Sequence, residues 1–361
     1  MTKFSQLKQQ IIGQFGTPCA VVDLDIVEQN IEKAQLRCES FGLANRPHVK
    51  THKSPFLAKK QIIAGAQGIT CQKIGEAEVM VDAGITDIIV ATNVLGAARS
   101  GRLLALQKRV SIKYCADSFY TLKAYLDAAK AANRPLEVLI ECDTGQKRAG
   151  VETTEEVLKL VKFVKSTHWL DFRGLLFYPP IDGWKKTQNF FDTVSVGINE
   201  MGLPIEIVST GGTPNFKNIG QLKGATEHRA GTCIFNDRMM IDADVANLED
   251  CALQIFTSVV SRAGVDRGII DAGSKTLTTD QGGLDGFGLI IEHPKAVLHK
   301  FSEEHGFLDL SQCHEKVEIG DVVRVIPNHV CAVVNMFDQL VGIRDAQVVC
   351  VIDVSARGKL V

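Results

Sequence analysis

The octapeptide Arg46-Pro-His-Val-Lys-Thr-His-Lys53 concentrates basic side chains directly ahead of a predicted helix, which Ser54-Pro55 is suited to cap and begin. A lysine at the carboxyl end of an early strand can form a Schiff base with a cofactor aldehyde, provided that nearby cations and partial burial favour its uncharged amine. Alternation along a strand places His48, Lys50 and His52 on one face. Lys50 is therefore the predicted Schiff-base residue, although the octapeptide taken alone is better explained as a solvated basic loop.

Two polar, glycine-containing segments follow other predicted strands. In Asp143-Thr-Gly-Gln-Lys-Arg-Ala-Gly150, Arg148 could hold a phenolate or a carboxylate, or it could meet only solvent. In Ser209-Thr-Gly-Gly-Thr-Pro214, adjacent glycines allow backbone N–H groups to approach a phosphate, and Gly231-Thr232 could complete that cradle. A simple turn is the alternative. The position after strands seven and eight, where barrel enzymes often bind phosphate, favours the cradle.

The segment Pro327-Asn-His-Val-Cys-Ala332 contains a histidine and a cysteine two residues apart. In a strand, His329 and Cys331 would project from the same face. Imidazole with thiolate suits zinc, and two protein ligands predict an open site rather than a closed structural one. A buried cysteine beside a hydrogen-bonded histidine is the alternative, and it is favoured if these two residues are considered alone.

These segments are positioned by a regular alternation of strands and helices. The capping box that begins at Thr153 predicts the clearest helix, with Val157, Leu158, Val161 and Val164 at helical spacing. Eight strands alternating with helices predict a parallel (β/α)8 barrel, and no GxGxxG motif supports an open doubly wound sheet instead. The predicted barrel strands are Pro47–Lys50, Ile69–Gln72, Ile88–Ala91, Ser111–Cys115, Glu137–Glu141, Gly174–Tyr178, Ile205–Ser209 and Thr226–Arg229.

Helical periodicity fades after about residue 245, and strand-like runs separated by turns follow. The predicted strands are Leu253–Ser261, Arg267–Asp271, Gly286–Ile291, Asp321–Ile326 and Val348–Val354, and the strand-like run Cys19–Asp23, ahead of the barrel, could join them. We therefore expect an α/β chain in three parts: residues 1–22 joining the β-domain, a barrel over 23–245, and a mostly β domain over 246–361 that carries His329 and Cys331.

The composition limits the classes of function. A net charge of -2 and a pI near 6.5 give no electrostatic reason to expect nucleic-acid binding. The sequence contains no apolar run long enough to cross a bilayer and no signal-like N-terminus, so we expect no membrane partner. Ten scattered cysteines without a CxxC pair fit buried thiols in a cytoplasmic enzyme better than a disulfide framework.

Together, the segments resemble the D-serine dehydratase and D-threonine aldolase family of pyridoxal-phosphate enzymes, which have an alanine-racemase-like barrel and a β-domain. The matching stretches run in the family's order from about residue 16 to 335, nearly the whole chain. They are GTPCAVVDLD, RPHVKTHK, ITCQKIGEAEVMVDAG, DTGQKRAGV, STGGTP, EHRAGTCIFND, DAGSK and PNHVC. Two departures concern the pocket: Cys233 stands where many relatives have tyrosine, and Tyr178–Trp184 lacks the usual Tyr-x-Gly-His pattern.

The resemblance implies a role for each matched residue. Lys50 is expected to carry pyridoxal phosphate. A divalent metal is also implied: zinc is the first choice, and manganese and magnesium are alternatives. Arg229 lies near the pyridine nitrogen, and Tyr178 and Gln72 line the pocket. The remaining implied contacts are Arg148 with the phenolic oxygen, Gly211, Gly212, Thr213, Gly231 and Thr232 with the phosphate, and His329 and Cys331 with the metal. A homodimer is also implied.

The implied reaction is a metal-assisted elimination of water from a D-β-hydroxy-amino acid, which gives a 2-oxo acid and ammonia. D-serine, D-threonine and 3-hydroxy-D-aspartate are the expected substrates. Retro-aldol cleavage to glycine and an aldehyde is the main alternative, but the His-x-Cys pair resembles the dehydratase branch. An amino-acid racemase and a non-catalytic cofactor carrier are further alternatives, and the β-rich second half argues against the carrier.

Overall fold

The computed structural model describes residues 3–361. Numbered along the chain, its strands are β1 (Cys19–Asp23), β2 (Ala44–Asn45), β3 (Ile69–Cys71), β4 (Ile88–Val90), β5 (Ile112–Ala116), β6 (Leu136–Cys142), β7 (Leu170–Phe177), β8 (Ile207–Gly211), β9 (Glu227–Arg229), β10 (Leu253–Ser261), β11 (Arg267–Ile270), β12 (Gly288–Ile290), β13 (Val297–Phe301), β14 (Gly306–Asp309), β15 (Val322–Pro327), β16 (Gln339–Arg344) and β17 (Gln347–Asp353). The α-helices are α1 (Lys3–Gln14), α2 (Leu24–Glu39), α3 (Pro55–Ile63), α4 (Ile74–Asp82), α5 (Ala97–Gln107), α6 (Phe119–Ala132), α7 (Thr154–Lys165), α8 (Trp184–Glu200), α9 (Arg238–Asp242), α10 (Ser274–Leu277) and α11 (Val330–Val334). Three short 3-10 helices cover Thr213–Asn218, Thr232–Ile234 and Leu248–Asp250.

The chain forms two compact units whose boundaries lie at other residues than the predicted ones. One unit contains the residues up to Glu32, the segment Thr51–Phe56 and the stretch Thr232–Arg357; the other contains Lys33–Lys50, Leu57–Gly231 and Gly358–Val361. The first boundary falls within α2, whose Asn30 donates to the Ile234 and Asp250 carbonyls. Contacts of this kind hold the segment that follows β9. This segment therefore belongs to the unit with the nine-stranded sheet, and the later boundary lies at Thr232 rather than at the predicted residue 246.

The second of these units is a closed parallel barrel, as the strand pattern predicts. Its eight strands follow the order β2-β9-β8-β7-β6-β5-β4-β3. The chain that continues from β2 closes the circle, because His48 N–H donates to the Ala230 carbonyl on one side and Val49 N–H donates to the Thr70 carbonyl on the other. The predicted (β/α)8 fold is thus confirmed, and every predicted barrel strand has a counterpart within a few residues.

Alternate residues of the strands form layers inside the barrel. An apolar layer consists of Ile89, Cys115, Leu139, Leu176 and Ile207, all buried. A charged layer lies two residues closer to the amino ends of the strands than Ile89, Cys115 and Leu139. It consists of Asp87, Lys113 and Glu137. The positions two residues after the apolar layer point to the carboxyl ends, where barrel enzymes place their sites.

Arg46 is the centre of the charged layer. Its side chain is fully buried, and its Nε lies 2.7 Å from Glu227 Oε2 while its Nη1 lies 2.8 Å from Asp87 Oδ1. Lys113 Nζ joins the same Asp87 oxygen at 3.0 Å. Burying a guanidinium is costly unless it is paired, so these two carboxylates make Arg46 tolerable in the interior.

The other unit is built on a mostly antiparallel sheet of nine strands, in the order β11-β14-β13-β12-β15-β10-β1-β16-β17, in which only β1 and β16 run parallel to each other. An additional β10–β11 pairing closes six of these strands into a small barrel. The sequence predicts β1 and β10 with their observed bounds but misses β13, β14 and β16. In β1, Val21 and Val22 pair with Gln254 and Leu253 of β10, so the segment ahead of the parallel barrel lies in this sheet.

The helix ends agree with the predicted capping residues in one of two cases. Thr153 caps α7, because its Oγ1 accepts the Glu156 N–H at 3.3 Å and donates to Glu156 Oε2 at 2.8 Å. Pro55 begins α3 as predicted, but the Ser54 hydroxyl has no hydrogen-bond partner, so Ser54 does not cap through its side chain. Over residues 3–361, no disulfide joins any of the cysteines and no helix has the length and apolarity to span a membrane.

The Arg46–Glu227 pair predicts a large stability effect. Arg46→Met should lower the free energy of unfolding by about 3–5 kcal/mol, because it leaves a buried carboxylate without its partner. Urea denaturation would measure the loss. The control is Lys3→Met: Lys3 pairs with Asp345, but the two side chains are 70% and 73% exposed, so the expected change is at most about 1 kcal/mol. A similar loss in both variants would contradict this account of the barrel interior.

Candidate functional site

Lys50 lies at the carboxyl end of the first barrel segment, and a buried histidine helps to fix its backbone. Lys50 N–H points to His48 Nδ1 at 3.4 Å. On its other side, His48 Nε2 lies 3.1 Å from Gln72 Oε1, and Gln72 Nε2 donates to the Ala91 carbonyl at 2.9 Å. Gln72 therefore contacts His48, which the prediction that it lines a pocket did not anticipate.

These contacts determine the tautomer of His48. The Ala91 carbonyl can only accept, so Gln72 must present its oxygen to His48, and His48 Nε2 must carry the proton. The Nδ1 lone pair then faces Lys50. Burial, followed by the charges of Lys50, Arg229 and Arg148, holds the pKa of His48 well below its usual range. His48 is therefore a neutral imidazole in a cluster of three cations.

Arg148 lies against an aromatic ring and a buried carboxylate. Its guanidinium carbon is 4.7 Å from the centre of the Tyr178 ring, and its Nη2 is 3.6 Å from Glu141 Oε1. Burial raises the pKa of Glu141, and the charges of Arg148 and Arg229 oppose that rise. The loop is shaped by Asp143, whose carboxylate accepts the N–H groups of Gly145 at 2.7 Å and Arg148 at 2.8 Å.

The glycine pair after β8 makes a close approach that larger residues would block. A Cβ on Gly212 would lie 2.7 Å from the Tyr178 ring, and one on Gly211 would lie 2.8 Å from Arg229 Nη2. The φ angle of Gly212 is +104°, a conformation that other residues avoid. Asn215 Nδ2 donates to the Pro179 and Gly211 carbonyls, so the turn is tied to the loop after β7.

The Arg229 side chain is held by the Ser209 hydroxyl, which in turn contacts the Glu227 carboxylate. Its Nη1 donates to Ser209 Oγ at 2.6 Å, and Ser209 Oγ donates to Glu227 Oε1 at 2.5 Å. Its Nη2 donates to the Phe177 carbonyl at 3.0 Å. Burial lowers the pKa of Arg229, and Glu227 is among the charges that counteract this. The side chain is thus fixed in orientation at the same place as the glycine pair.

Two further predicted phosphate-binding residues, Thr213 and Gly231, also meet at this turn. Thr213 Oγ1 accepts the Gly231 N–H at 3.3 Å. His228 Nε2 donates to the Gly212 carbonyl at 3.2 Å, so its Nδ1 accepts the Thr210 hydroxyl at 2.8 Å. Two hydrogen bonds, neither apparent in the sequence pattern, therefore hold the turn in place.

The predicted metal pair is not in a strand. β15 ends at Pro327, His329 is the N-cap of the short helix α11, and Cys331 lies in its first turn. The expectation that strand alternation places both side chains on one face was wrong, yet the two side chains are hydrogen-bonded to each other. His329 Nδ1 also lies 2.5 Å from Asp280 Oδ2, a residue that the sequence analysis did not identify.

The electrostatics of this pair favour a thiolate. Hydrogen bonding to Cys331, in which the imidazole is the donor, raises the pKa of His329 to about 9, against the effect of burial. Burial would raise the pKa of Cys331, but the hydrogen bond and charge of His329 outweigh it and lower the pKa. The Thr51 and Thr232 hydroxyls, 3.2 and 3.6 Å from the Cys331 sulfur, act in the same direction. Thiolate is the form of cysteine that binds metals.

The segment that carries the pair is anchored from both sides. Asp237, fully buried, accepts the Val330 N–H at 2.9 Å. Asn328 Nδ2 donates to the Gln281 and Gly286 carbonyls. Within residues 3–361, no group of three or more His, Cys, Asp or Glu side chains is arranged to hold a metal. Thr51 and Thr232 directly follow Lys50 and Gly231 in the sequence.

Known proteins match nearly the whole chain. Residues 22–239 match the family described as alanine racemase, N-terminal domain, and residues 252–343 match the putative serine dehydratase domain. A D-threonine aldolase from Arthrobacter sp. is 30% identical over 96% of this chain and 94% of its own length. The chain belongs to the D-serine dehydratase and D-threonine aldolase family. The resemblance inferred from the sequence motifs is thus confirmed.

The chain is similar to both aldolases and dehydratases of this family. A D-threo-3-hydroxyaspartate dehydratase from Delftia sp. is 32% identical over 90% of this chain and 93% of its own length. The solved D-threonine aldolase from Filomicrobium marinum superimposes with a TM-score of 0.89 at 28% identity, covering 96% of each chain. Histidine-to-alanine and cysteine-to-alanine variants of that dehydratase, altered two residues apart, have also been solved. The cysteine variant, in a metal-free form, has a TM-score of 0.86 at 28% identity and covers 94% of this chain and 97% of its own.

The residues present suit the groups that the family implies. Gly211 and Gly212 carry no side chains, and Arg229 and Tyr178 pack against them more closely than any Cβ would allow, so the bare backbone of this turn lies directly beside a cation and an aromatic ring. The surrounding cations, Lys50, Arg148 and Arg229, suit a phosphorylated, anionic cofactor. The imidazole and thiolate of His329 and Cys331 suit a divalent metal with positions left for solvent or substrate.

The neutral, buried histidine beneath the glycine turn predicts acid sensitivity. Burial, with the charge of Arg229, lowers the pKa of His228 to about 3. Below pH 6.5 the unfolded chain takes up a proton that the folded protein does not, so stability is complete above this pH and falls as the pH decreases. The cost is about 1.4 kcal/mol per pH unit, or about 2 kcal/mol at pH 5.

Denaturation of His228→Gln at pH 7 and pH 5 measures how much of the loss of stability at acid pH is due to His228. The variant should lose about 2 kcal/mol less stability between these pH values than the unmodified protein. The control is His168→Gln, which removes an exposed histidine from the same unit. An unchanged pH dependence in His228→Gln would show that His228 is already charged in the folded protein.

Proposed function

We propose that this protein is a lyase, dependent on pyridoxal phosphate and a divalent metal, that eliminates water from a D-β-hydroxy-amino acid. The products are a 2-oxo acid and ammonia, and the expected substrates are D-serine, D-threonine and 3-hydroxy-D-aspartate. The observation that carries this proposal is the pairing of His329 with Cys331 in a member of this family. The same residue types, at the same spacing, were replaced in the solved dehydratase variants.

The chain's own residues would divide the work as follows. The Lys50 amine would hold the cofactor, and its Nζ would accept the α-proton of the substrate. Bound pyridoxal phosphate supplies an electron sink that makes this proton removable. Neutral His48 keeps Lys50 in place without donating a proton to it, since its Nε2–H is used by Gln72.

Binding of the cofactor would use the residues that meet around the glycine turn. Gly211, Gly212, Thr213, Gly231 and Thr232 are the proposed phosphate ligands. Arg148 is placed against Tyr178 and near Glu141, so its planar fork is oriented for an anionic oxygen such as the phenolate. Arg229, fixed by Ser209 and Phe177, is proposed to face the pyridine ring.

His329 and Cys331 would hold the metal, for which zinc is our first choice because it accepts both imidazole and thiolate; manganese and magnesium are alternatives. A divalent metal bound there supplies Lewis-acid activation of the substrate hydroxyl. A homodimer and a cytoplasmic location, both expected from the sequence, are part of the same proposal. Light scattering of the purified protein tests the dimer.

Retro-aldol cleavage is the second candidate function. It is favoured by the similarity to D-threonine aldolases, which is as extensive as the similarity to the dehydratase. Both reactions would use Lys50 and the same metal held by His329 and Cys331, and they differ in the bond that breaks. The products therefore distinguish them.

The deciding experiment is incubation of the cofactor- and zinc-loaded protein with D-threonine, with 2-oxobutanoate, glycine and acetaldehyde measured in parallel. We expect metal-dependent 2-oxobutanoate. Lys50→Ala should lose at least 100-fold in rate, since general-base catalysis alone contributes about 100- to 10,000-fold. Cys331→Ala should lose the metal-dependent part of the rate, because it removes a proposed metal ligand. Cys313→Ala, at a cysteine outside the proposed site, is the matched control and should retain activity.

Glycine with acetaldehyde would establish the aldolase instead. The absence of both sets of products from D-threonine, D-serine and 3-hydroxy-D-aspartate would contradict both lyase assignments. Activity that survives complete removal of the metal would contradict the role given to His329 and Cys331.

A further inference from the structure

The histidine of the proposed metal pair has a carboxylate partner 49 residues earlier in the chain. His329 Nδ1 lies 2.5 Å from Asp280 Oδ2. An ionised carboxylate can only accept a hydrogen bond, so the proton of the imidazole is on Nδ1. The lone pair of neutral His329 is therefore on Nε2, at the opposite side of the ring from Asp280.

This arrangement leaves two donor atoms for a metal. His329 also interacts with the Cys331 side chain, and its Nδ1 is already used by Asp280. We propose that Asp280 is a positioning residue of the metal centre, which fixes the His329 tautomer and ring orientation so that Nε2 and the Cys331 sulfur face the same ion. The inference rests on the proposed function, because it assumes that the pair binds a metal.

Asp280 is itself held in place. Its Oδ1 accepts the Gly282 N–H at 3.0 Å, which orients the carboxylate. Gly282 has a φ of +61°, and a Cβ there would collide with the Met239 side chain, so the turn requires glycine. The contact is thus made by a shaped loop rather than by a freely rotating side chain.

A second set of contacts joins the loop of Asp280 to the segment of His329. Asn328, the residue before His329, donates from Nδ2 to the Gln281 carbonyl at 3.1 Å and the Gly286 carbonyl at 2.9 Å. Its Oδ1 accepts from Arg238 Nη1 at 2.7 Å. The two segments therefore hold a fixed spacing before any metal binds, which limits the entropy lost on binding.

The expected size of the effect follows from the chemistry of metal-bound histidines. A carboxylate on the second ring nitrogen fixes the tautomer and makes the imidazole more basic, and its loss typically weakens metal binding about 10- to 100-fold. Asp280→Ala removes both the charge and the acceptor. Asp280→Asn keeps an oxygen that can accept from Nδ1 and removes only the charge, so its effect should be the smaller of the two.

The test measures zinc affinity in the full, cofactor-loaded chain by competition with a chromophoric chelator. The control is Asp285→Asn, which removes a negative charge from the same loop at an exposed side chain. Visible spectra of the cobalt-substituted proteins report the ligand set directly, and thermal unfolding of the metal-free proteins reports the fold. A role limited to packing would change the unfolding temperature and leave affinity and spectrum unaltered.

We expect Asp280→Ala to bind zinc about 10- to 100-fold more weakly, with an altered cobalt spectrum, while Asp285→Asn matches the unmodified protein. Equal zinc affinity and spectra in Asp280→Ala and Asp285→Asn would overturn the inference and leave the proposed function intact. If the unmodified protein bound no zinc or cobalt, the metal site and this inference would both fail.

Discussion

The compensation of positive charge inside the parallel barrel is the constraint on which the proposed site depends. Lys50, Arg148 and Arg229 all act on the pKa of His48, so three cations lie near one buried ring. Such a cluster is costly in a low dielectric unless carboxylates are close. Glu141 lies beside Arg148, and Glu227 reaches Arg229 through the Ser209 hydroxyl.

The Glu227 carboxylate connects the two ends of the barrel interior. Glu227 uses one oxygen for Ser209, below Arg229, and the other for Arg46, the fully buried arginine of the charged layer. The orientation of Arg229 is thus coupled to an ion pair that contributes to stability. Burial, together with these charges, explains why His48 is neutral, and its Nδ1 is therefore left as an acceptor for the Lys50 backbone. Stability and the geometry of the site therefore have a common cause.

Much of the fold could be predicted because the pattern that signals it is local. Buried parallel strands give continuous apolar runs, so the eight barrel strands were found close to their observed bounds. Thr153 was identified as a cap because its partner is three residues away. By contrast, β13, β14 and β16 are short or contain polar residues and glycine, and no apolar run identifies them.

The parts of the site that were missed depend on contacts between residues far apart in the sequence. Arg46 and Glu227 are 181 residues apart, and His329 and Asp280 are 49 apart. No spacing rule connects such pairs, and Asp280 lies in a loop where acidic residues are ordinary. The His-x-Cys spacing singled out His329 and Cys331 as candidates, but the strand assumed for them was wrong, because the chain turns into α11 directly after β15. The two side chains nevertheless interact with each other.

The measurement that most directly tests this account is identification of the lysine that bonds the cofactor. The protein, loaded with pyridoxal phosphate, would be treated with borohydride to make the link permanent, digested, and analysed by mass spectrometry. The account predicts that the cofactor's added mass is found on Lys50. Its appearance on Lys53, three residues further along the same basic segment, or on no lysine at all would contradict the assignment of this end of the barrel as the cofactor site.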